Sequence, residues 1–327
     1  MKNKNKRRWK IIGFSFLGII LLIIAGLGYE YYQIQPKNHF TTVPVVSTGK
    51  TTDTKSTSET VEVKDPVFNL LLIGSDERKG QNVGHSDSMM LVHVDLNKHQ
   101  YDAISIPRDT RVHLDGYGYT KLTSVQYIMQ ATKGAKKGVE EAVRAVGELT
   151  GVSINYYVET NYGGFQAMVD AVDGIEMNVP FDVKLTHPWY AENNNKVIKT
   201  GTHSFDGKMV AEVVHERYSL KNGEYGRQKL QEEALKGIAK KALSPSNITN
   251  LPSLVKSIPK FVIATNMSTS DMLSLGLAAK DFDPNTQLEY HQIPGVGKRM
   301  YDDILKANNY QLVIDQDKIN DLISRNF

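Results

Sequence analysis

The chain has 327 residues, a net charge of +3 and no cysteine, so disulfides, thiolate metal sites and cysteine nucleophiles are excluded. Six of the positive charges lie in the first ten residues, which leaves a net charge of −3 on the remainder. That distribution argues against a basic nucleic-acid-binding domain.

The first element in chain order is a predicted transmembrane helix. Residues 11–28 contain no charged side chain and are rich in Ile, Leu, Phe and Gly, and about 18–20 apolar residues are enough to cross a bilayer. The alternative is a cleaved signal peptide, but the apolar run is longer than the roughly 7–15 residues of a signal-peptide core. Because basic flanks stay in the cytoplasm, the sequence predicts a single-pass cell-membrane protein whose C-terminal domain is extracellular.

Residues 30–66 are predicted to form a flexible extracellular stalk, because a segment rich in Thr, Ser and Lys cannot bury a core. The predicted organisation is therefore a basic cytoplasmic tail at 1–10, a transmembrane helix at 11–29, this stalk, and one large domain at 67–327. A domain of that length can bury a single α/β core.

Strand and helix patterns alternate through the large domain. Short apolar runs predict strands at 68–73, 89–94, 101–106, 156–160, 175–179, 261–264, 288–293 and 311–314. Helical periodicity predicts helices at 122–132, 139–150, 163–172, 207–218, 225–243, 248–257, 270–279 and 318–324. This order predicts an α/β fold with a central mixed β-sheet flanked by helices.

Two aspartates lie at the ends of the first two predicted strands. Asp76 follows strand 68–73 and Asp87 precedes strand 89–94, so antiparallel pairing of these strands would bring both carboxylates to one edge of the sheet. Two such carboxylates can hold Mg²⁺ while substrate phosphates complete its coordination shell. The alternative is a pair of solvated loop residues, which is the commoner role of aspartate in loops.

Cationic and amide side chains also lie near predicted strand and helix ends. The candidates are Arg78, Arg108, Lys121, Arg217, Arg227 and Gln231. Arg227 and Gln231 are four residues apart, on one face and near the N-terminus of a predicted helix, where the helix dipole favours anions. Together with two metal-binding carboxylates, guanidinium groups suit a pyrophosphate, whose oxygens they bind in two-pronged fashion. The alternatives are ordinary surface ion pairs and an amphipathic surface helix.

These segments resemble the LytR-CpsA-Psr family of cell-wall enzymes. The resemblance covers nearly the whole chain and is carried by residues 69–78 (NLLLIGSDER), 86–91 (SDSMML), 105–110 (SIPRDT), 168–176 (MVDAVDGIE) and 226–231 (GRQKLQ). It implies a phosphotransferase that moves a glycopolymer, such as a teichoic acid or capsule, from a polyprenyl-pyrophosphate carrier to a peptidoglycan hydroxyl. It also implies a deep apolar pocket for the prenyl chain, between the sheet and its helices.

The resemblance assigns roles to the candidates. Asp76 and Asp87 would hold Mg²⁺ or Mn²⁺ and, with Arg108, form the catalytic set. The pyrophosphate would be bound by Arg78, His85, Arg108, Lys121, His215, Arg217, Arg227 and Gln231. Asp76 and Asp109 are the candidates for a general base.

The chain departs from the family pattern at three positions where arginine is usual: His85, His215 and Leu230. Imidazole has an ordinary pKa near 6.5 and cannot make the bidentate contacts of a guanidinium. The replacements therefore predict a weaker pyrophosphate site, unless bound phosphate raises the pKa values of both histidines. The alternative function is a regulatory or sensory protein that binds polyprenyl pyrophosphate with reduced or no transfer. DNA-binding regulation is disfavoured, because a ten-residue cytoplasmic tail cannot hold a helix-turn-helix.

Overall fold

The computed structural model describes residues 29–49, 59–78, 80–248 and 250–327. The strands are β1 (Thr42–Val45), β2 (Glu59–Glu62), β3 (Val67–Ser75), β4 (Ser86–Asp95), β5 (Gln100–Ile106), β6 (Arg111–Leu114), β7 (Gly118–Lys121), β8 (Tyr156–Asn161), β9 (Ile175–Val179), β10 (Val183–Lys184), β11 (Val197–Ile198), β12 (Gly201–Phe205), β13 (Val262–Thr265), β14 (Leu288–Gln292), β15 (Gly295–Asp302) and β16 (Ala307–Ile314). The α-helices are α1 (Pro36–His39), α2 (Leu122–Lys133), α3 (Ala135–Thr150), α4 (Tyr162–Ala171), α5 (Gly207–His215), α6 (Glu224–Ala242), α7 (Pro245–Ile248), α8 (Leu251–Ser257), α9 (Thr269–Ala278) and α10 (Gln316–Asn326).

A six-stranded sheet in the order β13-β8-β3-β4-β5-β14 forms the centre of the fold. The pairs β3–β4, β4–β5 and β8–β13 are antiparallel, whereas β3–β8 and β5–β14 are parallel. The predicted α/β fold with a central mixed sheet flanked by helices is therefore confirmed. The apolar runs that predicted β3, β4 and β5 come from strands that bury side chains on both faces of the sheet.

Each face of the sheet packs against a different set of helices. Leu71 and Leu91 are fully buried on the face that α2 and α3 cover. In α3, Val139, Val143 and Val146 form the predicted apolar stripe, and each is at most 1% exposed. The helix ends at Gly151, which has a left-handed φ of 70° that glycine adopts without steric cost. The opposite face, towards α6, α8 and α9, borders a cavity described below.

The predicted flexible stalk at 30–66 is wrong for the described part of that segment. Strand β1 pairs with β2, and Phe40 and Val43 are buried against the sheet. The ring centroid of Phe40 lies 4.8 Å from that of Phe68. A few apolar residues suffice to dock a polar segment on a surface that the rest of the chain supplies, and average composition does not reveal them. Residues 50–58 lie outside the described part.

The predicted transmembrane helix at 11–29 also lies outside the described residues, except for its last residue, Tyr29. Within the described ranges, no helix has both the length and the apolar character needed to cross a membrane.

Two hairpins were not predicted. Strands β6 and β7 flank the glycine-containing turn at 115–117, where Gly116 has a φ of 79°. Strands β15 and β16 form a longer hairpin, of which only 311–314 was predicted. Most residues of β15 are exposed, so that strand carries no apolar run from which it could be identified.

Candidate functional site

The two aspartates lie at one edge of the sheet, as the predicted antiparallel pairing requires. Ser75, at the end of β3, is in register with Ser86, at the start of β4. Asp76 follows the first and Asp87 follows the second. The backbone N–H of Asp76 donates to the carbonyl of His85 (3.1 Å), and the N–H of His85 donates to Oδ1 of Asp76 (2.6 Å). These two hydrogen bonds close the loop between the strands and fix the position of the Asp76 carboxylate.

Asp87 is held between two arginines. Nη1 of Arg108 pairs with the Asp87 carboxylate, and Nη2 of Arg227 donates to the Asp87 carbonyl (3.0 Å). Burial raises the pKa of Asp87, and the lowering by Arg108 and Arg227 does not cancel this effect. Asp76 also contributes to the rise, so the two carboxylates interact electrostatically across the edge of the sheet.

Arg227 is a buried cation on the first turn of α6. It is 3% exposed, and its Nη2 donates to Glu224 at 2.8 Å. Burial favours the neutral guanidine, but Glu224 and Asp87 outweigh it and hold the pKa above its ordinary value. The Nε atoms of Arg108 and Arg227 are buried and have no hydrogen-bond acceptor among the described residues. Because unpaired buried donors are costly, these two atoms fit a site that is completed by an anion.

A small cavity of about 220 Å³ brings four of the eight predicted phosphate-binding residues together. Its lining comprises Arg108, His187, His215, Glu216, Arg217, Tyr218 and Arg227. Arg217 donates from Nη2 to the hydroxyl of Tyr218 (3.0 Å) and lies 4.9 Å from the centroid of that ring. Three guanidinium groups thus share one polar cavity beside Asp87.

His215 lies in this cavity in an environment that opposes a positive charge. Its Nδ1 shares a hydrogen bond with the hydroxyl of Tyr162 (2.9 Å), and its ring lies 4.4 Å from that of Trp189. Burial lowers the pKa of His215, and Arg227 lowers it further. In the unliganded protein, His215 is therefore neutral at pH 7 and does not replace an arginine as a permanent cation.

His85 supports Asp76 from the solvent side. Its ring stacks on Tyr127 at 4.6 Å, and its Nδ1 lies 3.3 Å from Oδ2 of Asp76. Burial alone would raise the pKa of Asp76, but the hydrogen bonds and charge of His85 outweigh burial and lower it.

We expect His85→Ala to move the pKa of Asp76 back upward, because both the side-chain contact and the charge of His85 are lost. Titration of the ¹³C-labelled Asp76 carboxyl by NMR measures this pKa directly. In the wild type the Asp76 carboxylate stays ionised to lower pH than in the variant. As the pH falls, the predicted metal binding should therefore weaken first in the variant. His113→Ala, which removes a histidine next to Asp115 in an exposed pair 3.4 Å apart, serves as the control. An unchanged Asp76 titration would contradict this role of His85.

Several predicted residues lie outside the lining of the small cavity. Nζ of Lys121 pairs with Oδ1 of Asp109 at 2.8 Å, so these two charges neutralise each other. That ion pair argues against Asp109 as a general base. Arg78 is exposed on the loop between β3 and β4, and Gln231 lies half-buried one turn beyond Arg227 on α6.

The departure at Leu230 belongs to the core and not to the anion site. Leu230 is fully buried in an apolar cluster with Val179, Val210 and Ala234. A side chain at this position points into that cluster, and an arginine there would have to leave it to reach a phosphate. The predicted loss of a phosphate contact at 230 is therefore wrong for this backbone.

A second, apolar cavity of about 460 Å³ lies between the sheet and its helices, where an apolar pocket was predicted. One wall is formed by β3, β4, β5 and β8, and the other by α6, α8 and α9. Helix α6 connects the two cavities, because Arg227 lines the polar one and Leu235 and Ala239 line the apolar one. At about 1.5 Å of rise per residue, Arg227 and Ala239 are roughly 18 Å apart along the helix. A larger groove of about 730 Å³, bordered by β9 and α6, contains none of the predicted site residues.

Glu159 was not identified from the sequence. It is 2% exposed on β8, and burial raises its pKa to about 7. Nε2 of Gln126 donates to its carboxylate, and Oγ of Ser86 donates to the Oε1 of Gln126 (2.5 Å). A hydrogen bond from the Ser75 side chain and the charge of Glu77 also affect the pKa of Glu159. The network is therefore next to the loop that carries Asp76. The one signal in the sequence is a charged residue in the middle of a predicted strand.

In this mixed α/β domain, one helix lines both a cationic cavity and an apolar one. The chain belongs to the LytR_cpsA_psr family, whose model matches residues 38–326.

Similar proteins include the polyisoprenyl-teichoic acid–peptidoglycan teichoic acid transferase TagU of Bacillus cereus, which is 31% identical over 296 residues, or 90% of this chain and 91% of the relative. The crystal structure of Bacillus subtilis TagV has a TM-score of 0.65 and 25% identity, and the match covers 81% of this chain and 98% of TagV. A structure of TagT bound to LIIa-WTA has a TM-score of 0.62 and 25% identity, with 80% and 89% of the two chains covered.

Proposed function

We propose that this chain is a membrane-anchored phosphotransferase. It moves a glycopolymer of the teichoic acid type from a polyprenyl-pyrophosphate carrier to a hydroxyl of peptidoglycan, with the help of Mg²⁺ or Mn²⁺. The observation that carries the proposal is the path of α6, from the arginine cavity beside Asp87 to the apolar cavity under the sheet. The names of the relatives support the same donor and acceptor.

The polar cavity and the sheet edge beside it together have the donor set for a metal–pyrophosphate complex. Asp76 and Asp87 offer carboxylate oxygens at one edge of the sheet, which is the ligand type that Mg²⁺ prefers. Arg108, Arg217 and Arg227 would bind the phosphate oxygens, and the unpaired Nε atoms of Arg108 and Arg227 supply free donors for them. When bound, Mg²⁺ neutralises charge on the pyrophosphate. The Arg108 guanidinium, now paired with Asp87, would turn to the phosphate as the carboxylate takes the metal.

The reaction needs positioning and neutralisation of charge, and no covalent nucleophile. The oxygen of the peptidoglycan hydroxyl attacks the phosphorus on the sugar side, a new P–O bond forms, and the bond to the leaving polyprenyl phosphate breaks. The hydroxyl proton passes through solvent water to the departing polyprenyl phosphate, which leaves as an anion. Asp76, whose lowered pKa keeps it ionised, serves the metal better than it serves as a base.

We expect Ala239→Trp to block the apolar cavity and to weaken binding of a long-chain polyprenyl pyrophosphate at least about tenfold, because the lost prenyl contacts contribute roughly 0.8 kcal/mol per buried methylene. Binding of a very short-chain analogue should change little, because the arginine cavity is untouched. Fluorescence titration with carriers of two chain lengths measures the difference. Ala135→Trp, at an exposed position of α3, is the control. Equal losses for both chain lengths would contradict a role of this cavity in binding the lipid tail.

The test of the proposal is transfer of a labelled, lipid-linked polymer to peptidoglycan by the full-length chain in detergent, with Mg²⁺ or with a chelator. Mg²⁺-dependent appearance of the label in peptidoglycan is the expected result. The second candidate function is a sensory protein that binds polyprenyl pyrophosphate without transfer. The lowered pKa of His215 favours this second function, because a neutral imidazole leaves the site with fewer permanent positive charges. Tight binding of the carrier with no transfer would select this second function.

The proposed anchor is the apolar segment 11–28, with the domain outside the cell. Protease treatment of intact protoplasts tests this orientation, because an extracellular domain should be digested without lysis.

A further inference from the structure

A row of polar side chains crosses the sheet on the face opposite the apolar cavity. Register pairs His93 of β4 with Asp102 of β5, and Asp102 with Glu289 of β14. The residues on either side of Asp102, Tyr101 and Ala103, line the apolar cavity. Because side chains alternate between the faces of a strand, Asp102 and Glu289 point the other way.

Three members of this region converge on one point. The ligand atoms of Asp102, Glu289 and His291 all lie within 4.8 Å of one another. Nε2 of His291 is 3.8 Å from Oε2 of Glu289, which is too long for a hydrogen bond. Asp102 is 3% exposed, whereas Glu289 is exposed at the edge of the sheet. The cluster thus has a buried side and an open side.

Two atoms of the cluster are buried without a partner. Among the described residues, Oδ1 of Asp102 and Nε2 of His291 have no hydrogen bond. A buried carboxylate oxygen and a buried imidazole nitrogen that both lack a hydrogen-bond partner within one cluster are rare in native structures. A cation between them would satisfy both atoms.

The side chain of Gln100 hydrogen-bonds the Asp102 carboxylate but leaves its Oδ1 without a partner. His93 uses its Nδ1 on Oδ1 of Asn69 (2.8 Å), and its ring packs against Phe327. Nζ of Lys98 pairs with Asp95 (2.9 Å). The nearest basic side chains are therefore committed elsewhere, and the negative charges of Asp102 and Glu289 remain available to a metal ion.

We propose that Asp102, Glu289 and His291 bind a divalent transition-metal ion of the Zn²⁺ type. One imidazole nitrogen with two carboxylates suits Zn²⁺ better than Mg²⁺, which takes oxygen ligands and keeps its waters. Water would complete the coordination at the open side. The ion would tie the edge strand β14 to β5, and β14 contributes Leu288 and Tyr290 to the wall of the apolar cavity. The site would thereby stiffen the wall against which we propose that the prenyl chain packs.

The test is calorimetric titration of ZnCl₂ into the full-length chain in detergent, after treatment with chelator and in the presence of excess Mg²⁺. We expect one Zn²⁺ per chain, and His291→Gln should weaken its binding at least about 100-fold, since even outer-shell changes cost 10–100-fold. Glu289→Gln, at the exposed rim, provides a second variant that should fold normally. X-ray absorption at the zinc edge should report nitrogen and oxygen ligands.

His113→Gln is the matched control. His113 and Asp115 also form a histidine–carboxylate pair two residues apart (3.4 Å), and among the described residues neither belongs to a three-ligand cluster. Zinc binding that is absent, or that survives both His291→Gln and Glu289→Gln, would overturn the proposal. Asp87→Asn should leave zinc binding intact, so failure of this site and failure of the proposed pyrophosphate site give different results.

Discussion

Replacing Asp87 with asparagine is expected to reduce Mg²⁺-dependent transfer on the order of 10³-fold, since charge neutralisation supplies most of the rate in phosphoryl transfer. The change removes a proposed metal ligand and leaves Arg108 without its carboxylate partner. Transfer of labelled polymer at saturating Mg²⁺ measures the effect. Asp182→Asn is the matched control, because Asp182 is an exposed aspartate paired with Lys199. Activity within tenfold of the wild type would argue against Asp87 as a metal ligand.

The pH dependence gives a second measurement on the same variant. The pKa of Asp87 is raised, chiefly by burial, so its carboxylate becomes protonated at a higher pH than an ordinary aspartate. Metal binding by the wild type should therefore weaken as the pH falls through that raised pKa. The asparagine variant cannot be protonated at this position. Its residual metal binding should therefore lack this pH dependence.

Glu159→Gln is expected to stabilise the protein at neutral and basic pH. The folded-state pKa of Glu159 is about 7, above the ordinary value of 4.5. The folded protein therefore holds its proton more tightly than the unfolded chain, and stability falls as pH rises between these two values. A shift of this size corresponds to about 3 kcal/mol of unfolding free energy. Glutamine keeps the shape and the hydrogen bonds but cannot ionise. The variant should therefore not lose this unfolding free energy as the pH rises.

Urea unfolding at pH 5, 7 and 8.5 measures the difference, which should be small at pH 5 and largest at pH 8.5. Glu192→Gln, at an exposed position, controls for the loss of one negative charge. If the unfolding free energies of wild type and Glu159→Gln changed equally with pH across this range, Glu159 would not titrate as its burial requires.

The elements that were predicted well are those whose sequence patterns record burial. The doubly buried β3 has an apolar run interrupted only by Asn69, and α3 has a stripe at helical spacing that ends at Gly151. The prediction that Asp76 and Asp87 lie at one edge of the sheet depended on one assumption, the antiparallel pairing of β3 and β4. That pairing is present.

What could not be predicted depends on contacts between distant parts of the chain. The exposed strand β15 is defined by its pairing with β16 and not by an apolar pattern. Leu230 was compared with a family arginine, but its environment is set by packing against β9 and α5. The raised pKa of Glu159 and the lowered pKa of His215 both arise chiefly from burial, which the residue type alone does not reveal.

The docking of Phe40 on the sheet limits the distance between the domain and a bilayer. If residues 11–28 span the membrane as proposed, only residues 29–39 separate the span from this buried residue. Eleven residues reach no more than about 40 Å when fully extended, and residues 29–33 and Pro36–His39 are helical and therefore shorter. Such a short tether would keep the apolar cavity near the lipid surface, where a polyprenyl carrier could enter head first while the far end of its chain stays among the membrane lipids.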